Sequence, residues 1–296
     1  MNKGIFLVLL AAFGYGIMPL LVKQAYSFGA GLYEILTLRF ALALVINFLL
    51  LIFKKKISSL NMGHINIIYC IITGILFALV SVTLFTSFAH LAPSIAEALF
   101  YSYPAVVLIL SAIFFKEKVT VLNIFCIIII LLGVFCLADF KSGKLSLYGI
   151  ISALLSCIMY SVYLLFLKTK RISAIDKLPL TFYMTLTLLV FSFVAGVIGN
   201  NLVFNFRPQA YLYIALISIF STVVALYALN SSSNYLKASQ IAVLSTVEPI
   251  ITLFCDIVFL QFSPSLKIIL GFIFIISGII AVNAFTHKVK YNDIQG

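Results

Sequence analysis

The stretch from Leu91 to Lys118 reads LAPSIAEALFYSYPAVVLILSAIFFKEK. It is apolar enough to lie in a bilayer, yet it carries Glu97, Tyr101, Tyr103 and Pro104. Ser94, Glu97, Tyr101 and Pro104 follow i, i+3, i+7 and i+10, which places them on one helical face. The stretch also has an echo. Leu236 to Phe262 reads LKASQIAVLSTVEPIITLFCDIVFLQF, with Ser239 answering Ser94 and Pro249 answering Pro104, each 145 residues on.

Working outward, the rest of the chain has the same character. Hydrophobic residues make up 64% of it and charged residues 9%, where a water-soluble domain carries about 25% charged residues. Mean hydropathy is +1.24. Most of such a surface must face lipid. The apolar runs are continuous and about 20 residues long, the length a helix needs for a hydrocarbon core of ~30 Å. Barrel strands would alternate apolar and polar residues instead.

Ten spans are expected, at 4–22, 32–53, 65–88, 93–115, 119–138, 147–167, 179–199, 210–233, 238–260 and 265–286. The first resembles a signal peptide behind Lys3, but it runs long and past Pro19, so it reads as an uncleaved span. The residues from 287 to 296 read as a polar, loosely ordered cytoplasmic tail. With both termini in the cytoplasm, thirteen Lys and Arg residues fall on that side and five on the other, with Arg39 inside the second span. That bias sets the orientation. It also explains the net charge of +11 through lipid head groups, with no nucleic acid partner.

The offset of 145 aligns more than the opening pair. Tyr15 meets Tyr160, Lys23 meets Lys168, Leu84 meets Leu229 and Ser87 meets Ser232. Phe114 meets Phe259, Ile124 meets Ile269 and Gly133 meets Gly278. The chain therefore reads as a first five-helix repeat over 1–146 and a second over 147–286. Five is odd, so the second repeat inserts inverted. The loop charges agree: three lysines in the 54–64 loop face one arginine near 200–210, while the loop at Lys23 has one and that from Lys168 to Pro179 has four. Inverted repeats are a hallmark of secondary transporters, which bind substrate near the midplane between the halves.

YSYPAVVLILSAIFFKEKVT (101–120) and STVEPIITLFCDIVFL (245–260) resemble the paired signature helices of the EamA family, in the drug/metabolite transporter superfamily. The resemblance covers nearly the whole chain. Glu117 keeps the acidic residue that closes the fourth span, and Gln261–Phe262 stands where the family has glycine–glutamate. The resemblance implies an all-α integral membrane fold, ten transmembrane helices as two inverted repeats around a central cavity. It implies movement of small metabolites across a bacterial inner membrane. Many members export amino acids or amphipathic compounds.

Ionisable groups inside a membrane cost several kcal/mol and face a cavity or a partner. The expected cavity residues are Ser94, Glu97 and Tyr101 on the fourth span; Ser245, Glu248, Thr252 and Asp256 on the ninth; Tyr15 and Tyr160 as repeat partners; and Arg39. Glu97 binds a cationic group or a proton on this reading; on the alternative one it sits near the interface and pairs structurally with a basic side chain. Glu248, beside Pro249, is open to a structural role at the repeat interface. Arg39 either snorkels toward Glu34 or pairs with a buried carboxylate. Pro104 and Pro249 read as hinges or kinks. Asn230 to Asn234 read as an end cap, and Gly14 and Gly16 as close-approach positions.

No catalytic constellation, metal-ligand spacing or phosphate loop is present in the sequence. The five cysteines lie inside apolar runs and read as reduced core residues. No enzyme, cofactor or metal is expected. The expected function is a secondary transporter exporting a small amphipathic metabolite such as an amino acid by alternating access, with protons as candidate coupling ion. An importer or exchanger of the same fold is the alternative, and a non-transporting membrane protein the remote one. The chain is expected to act as a monomer or weak dimer.

Overall fold

A computed structural model of the chain describes residues 2–115, 121–137, 146–167, 169–232, 235–236, 244–245 and 247–295. Glu117, Lys168 and Ser239 lie outside the described residues, as do Ser233 and Asn234 of the polar run.

The architecture is all-α, with no strand among the described residues. In chain order the helices are α1 (Asn2–Gly16), α2 (Met18–Ser27), α3 (Leu32–Phe53), α4 (His64–His90), α5 (Pro93–Phe100), α6 (Tyr103–Phe115) and α7 (Val121–Leu137). They continue as α8 (Leu147–Leu167), α9 (Lys170–Ser173), α10 (Lys177–Ile198), α11 (Pro208–Leu216), α12 (Ala225–Ser232), α13 (Val247–Phe259) and α14 (Leu266–Gln295). A π-helical stretch, Ile217–Val224, joins α11 to α12. Six segments are long and apolar enough to cross a membrane: Lys3–Ser27, Leu32–Phe53, His64–His90, Pro93–Phe114, Leu147–Leu167 and Lys177–Ile198. Shorter apolar helices include Ile124–Leu137, Pro208–Val224 and Leu266–Ala281. Large apolar side chains such as Phe6, Phe13, Phe114, Phe135 and Ile198 point outward, as they do when the surrounding solvent is hydrocarbon.

Prolines stand beside the breaks in two of the membrane segments and in the first turn of a further helix. The first span is not one unbroken helix: α1 ends at Gly16 and α2 begins at Met18. Pro19 has no N–H to give the Tyr15 carbonyl, and its ring crowds that carbonyl. The carbonyls at the break find other donors: Ser221 Oγ donates to Gly14 O at 2.6 Å and Thr252 Oγ1 to Gly16 O at 2.9 Å. Pro104 acts similarly. The fourth span breaks at Tyr101–Ser102, and Pro104 sits in the first turn of α6, where a missing N–H costs nothing. Pro249 occupies the first turn of α13.

α7 lies along α14, α3 along α10, α4 along α8, and α1 along α12. α7 and α14 cross antiparallel at glycines. A Cβ on Gly133 would meet Ile275 at 2.6 Å and the Gly271 carbonyl at 2.8 Å; one on Gly278 would meet Ile130 and, at 3.4 Å, the Cys126 carbonyl. Only small residues permit such an approach.

The ends of α3 and α10 are also alike. In the first, Lys55 N bonds Ile52 O and Lys56 N bonds Leu51 O; in the second, Asn200 N bonds Val197 O and Asn201 N bonds Gly196 O. Lys55 and Asn200 take left-handed φ values of 53° and 49°. This is a paired carbonyl-satisfying helix stop. Gln261, standing at the position that the family resemblance assigns to glycine, takes φ 53°, a conformation glycine adopts without steric cost.

The last helix runs to Gln295, so the tail expected to be loosely ordered is helical. No proline or glycine interrupts residues 279–295, and nothing in the backbone chemistry stops the helix earlier.

At the other end of α10, Asp176 is the N-cap and accepts from Leu178 N at 3.4 Å. Lys56 Nζ lies 2.5 Å from Asp176 Oδ2. The hydrogen bond from Lys56 is the main reason the Asp176 carboxyl sits below its usual range. Its stabilisation is therefore complete above the unfolded value of about 3.9 and is lost as pH falls through the lower folded value. Asp176→Ala is expected to cost about 1 kcal/mol at neutral pH. The ion pair itself is solvent-screened and contributes little. Melting of both proteins against pH checks this: the difference should hold from pH 8 to 5 and close in strong acid.

Candidate functional site

The sequence-predicted residues gather at the crossing of the broken fourth span with α13. Tyr101 OH donates to Glu248 Oε2 across that crossing. Ser94 N, in the first turn of α5, donates to Asp256 Oδ2 at 2.6 Å, so Asp256 caps α5 from another helix. Ser94, Thr252 and Asp256 are fully buried, and Glu97, Tyr101, Glu248 and Arg39 nearly so. The carboxylates form a series in which Glu248 lies within electrostatic reach of Glu97, and Glu97 of Asp256. Among the described residues Glu97 Oε2 has no hydrogen-bond partner, which is uncommon for a buried polar atom.

An aromatic wall adjoins the seam. Tyr160 lies 5.1 Å from Phe100, 4.9 Å from Tyr103 and 5.7 Å from Tyr163, ring centre to ring centre. Tyr15 is half-buried beside α12 and within electrostatic reach of Glu248, Tyr160 and Arg39. Ser245 is half-buried, and no contact is assigned to it.

Among the described residues Arg39 pairs with no carboxylate, and it does not reach the surface. It is buried, its Nε donates to Thr222 Oγ1 at 2.9 Å, and its guanidinium lies 5.3 Å from the Phe85 ring centre and 5.4 Å from that of Phe40. Ring faces and a hydroxyl hold this cation in place of a carboxylate. Glu34, its expected partner, accepts from Val203 N at 3.2 Å instead.

The seam is closed. A cavity of about 720 Å³ opens elsewhere, at the end of the bundle holding the α2–α3 turn, the end of α4, the start of α8 and the α10–α11 loop. None of the sequence-predicted site residues lines it. Its walls include Tyr26, Glu34, Thr86, Tyr148, Asn200 and Asn201. Sequence reasoning missed this vestibule because four separate chain segments supply it, none carrying a motif. The one available signal was Glu34, a carboxylate in the first turn of an apolar helix.

The chain matches the model of the EamA-like transporter family over residues 2–138 and again over 147–284. It belongs to that family, and it is a multi-pass membrane protein. It is 26% identical over 209 residues to an uncharacterized transporter, YxxF, of Bacillus subtilis (strain 168), a match covering 67% of this chain. The chain spans 63% of the length of that curated relative. A crystal structure described only as that of a protein is similar to it, with a TM-score of 0.68 at 14% identity, covering 98% of this chain and 99% of that one. At that identity the likeness concerns the fold.

Proposed function

We propose that the protein is a secondary transporter that carries a small amphipathic metabolite by alternating access between two inverted five-helix repeats, 1–146 and 147–286. The observation that carries this reading is the reciprocity of its contacts. Gly133 meets Ile275 and Gly271, while Gly278 meets Ile130 and Cys126; each contact becomes the other when 145 is added to one number and subtracted from the other. Gly4 lies against Tyr235 and Leu236, and Gly149 against His90 and Leu91, again the same contact shifted by 145. The α7–α14 crossing is antiparallel, so the two-fold relation behind this reciprocity inverts one half. A chain built so has two arrangements of similar energy, with the vestibule at either end, which is the physical basis of alternating access.

The loop charges favour the 720 Å³ vestibule on the outer side and both termini in the cytoplasm of a bacterial inner membrane. The seam of Ser94, Glu97, Tyr101, Glu248 and Asp256, with Thr252, Tyr15, Tyr160, Ser245 and Arg39 around it, is the proposed midplane passage. Pro104 and Pro249, each in the first turn of a half-helix, are the proposed pivots. Export is the direction preferred by the resemblance, and protons the proposed coupling ion.

Flux in proteoliposomes against a panel of amino acids and amines tests the function. Saturable, protein-dependent flux of at least one compound is the expected outcome. Folded protein that moves none of them contradicts it. Counterflow in the same vesicles separates exchange from net export.

A further inference from the structure

The vestibule has a chemical character of its own. No lysine or arginine lies among its described lining residues; its carboxylate is Glu34. Lys23, on the neighbouring α2, is held on backbone, with Nζ 2.9 Å from Phe88 O, 3.3 Å from Leu91 O and 3.5 Å from the carbonyl of the lining residue Ala89. The Glu34 carboxylate is underserved. Oε1 takes the Val203 amide, and Oε2 has no donor among the described residues. It is also given room by design of the chain: a Cβ at Gly31 would collide with Oε2, so any other residue at position 31 would displace the carboxylate.

Around this one acidic group stand ring faces, side-chain amides and the His90 imidazole. Tyr26, Tyr33 and Tyr148 line the cavity, with Asn200 and Asn201. Tyr26 is fixed by donating to Phe85 O at 2.9 Å. Tyr148 is 60% exposed and meets His90 edge to face at 5.0 Å, which leaves much of its ring open to the cavity. A carboxylate short of donors attracts a cation, and tyrosine faces add cation–π attraction. The volume is that of a small-molecule site.

We infer that the vestibule is a binding site for a small organic cation, a protonated or quaternary amine on an apolar body, with the charge against Glu34 and the body against Tyr26, Tyr33 and Tyr148. This rests on the transport reading for its purpose, because it names the class of cargo that the vestibule admits or releases. Its existence as a binding site does not depend on flux.

The test is calorimetric titration of the full chain in detergent micelles with tyramine and with tetraethylammonium, and with benzoate as the anionic counterpart. Saturable binding of at least one cation and none of benzoate is expected. Glu34→Gln keeps an acceptor for Val203 N and should weaken cation binding by about tenfold or more. Tyr148→Ala, at an exposed ring, should weaken it by about threefold or more. A melting curve for each variant verifies that it is folded. Failure of both cations to bind, equal binding by Glu34→Gln, or benzoate binding as well as the cations overturns the inference. Flux of the same probes is then measured in proteoliposomes. Cation binding without flux keeps the vestibule site and counts against transport of these probes. Flux unchanged by Glu34→Gln keeps the transporter and overturns the site's part in transport.

Discussion

Gly133→Ala is expected to destabilise the protein by about 1–3 kcal/mol, and truncating its neighbour Ile275 should not restore it. The added Cβ meets the Ile275 side chain, but also the Gly271 carbonyl at 2.8 Å and the Ile275 amide nitrogen at 2.9 Å. Backbone cannot yield without moving α14. Gly278→Ala tests the same crossing from the other repeat, with a different outcome. Its added Cβ meets chiefly the Ile130 side chain, and the Cys126 carbonyl only at 3.4 Å. Gly278→Ala should therefore cost less in an Ile130→Ala background than in the native one, although Ile130→Ala is itself destabilising. Melting in detergent reads these variants, at roughly 2–4 °C per kcal/mol. Equal rescue on both sides, or no loss at either glycine, would mean that α7 and α14 do not cross as described.

Glu248→Leu is expected to reduce flux by about ten- to a hundredfold, because it strands the Tyr101 hydroxyl in a buried place. An unsatisfied buried donor costs about 1–3 kcal/mol, and it would stand at the crossing of the two repeats. Glu248→Gln keeps an acceptor for Tyr101 and so should retain much of the flux. The Gln variant also separates structure from coupling. If Glu248 or Glu97 carries the proton, Glu248→Gln or Glu97→Gln abolishes the response of flux to a pH gradient while flux down a substrate gradient persists. Flux that stays equally pH-dependent in both variants removes protons from the proposal. Full loss with Glu248→Gln and none with Glu97→Gln would assign the first to substrate and leave the second a structural group.

Much of this architecture was legible in the sequence because lipid leaves the chain few options. Continuous apolar runs dictate helices, and the boundaries at Leu32–Phe53, Leu147–Leu167 and Lys177–Ile198 follow the apolar stretches closely. The repeat offset was legible where residue identity is shared, as at Gly133 and Gly278. It was illegible where only backbone geometry is shared. Lys55 and Asn200 have nothing in common as side chains, yet both hold the same left-handed turn at the end of equivalent helices. The break at Ile17 was also missed, since Pro19 alone does not say whether a helix bends or stops. The outcome rests on hydroxyls from Ser221 and Thr252, more than two hundred residues away in sequence.

The site divides in the same way. Helical spacing brought Ser94, Glu97 and Tyr101 to one face, and the structure sets that face against Glu248 and Asp256. Spacing says nothing about what lies across a helix, so the ring-and-hydroxyl cradle of Arg39 was unreadable. The vestibule was harder still. Val203, Asn200 and Asn201 come to Glu34 only because the end of α10 packs against the start of α3, where Gly196 lets Tyr33 approach.

The central claim is that two inverted halves exchange arrangements, and paired spin labels test it most directly. Phe6 and Phe53 lie toward one end of the bundle, and their equivalents Ile151 and Ile198 toward the other; all four are exposed and none lines the vestibule. Distance distributions for Phe6→Cys with Phe53→Cys, and for Ile151→Cys with Ile198→Cys, are to be measured in lipid with and without a substrate gradient. The account predicts two populations for each pair, with conditions that lengthen one pair shortening the other. A single distance at both ends, unmoved by any gradient or transported compound, would contradict it.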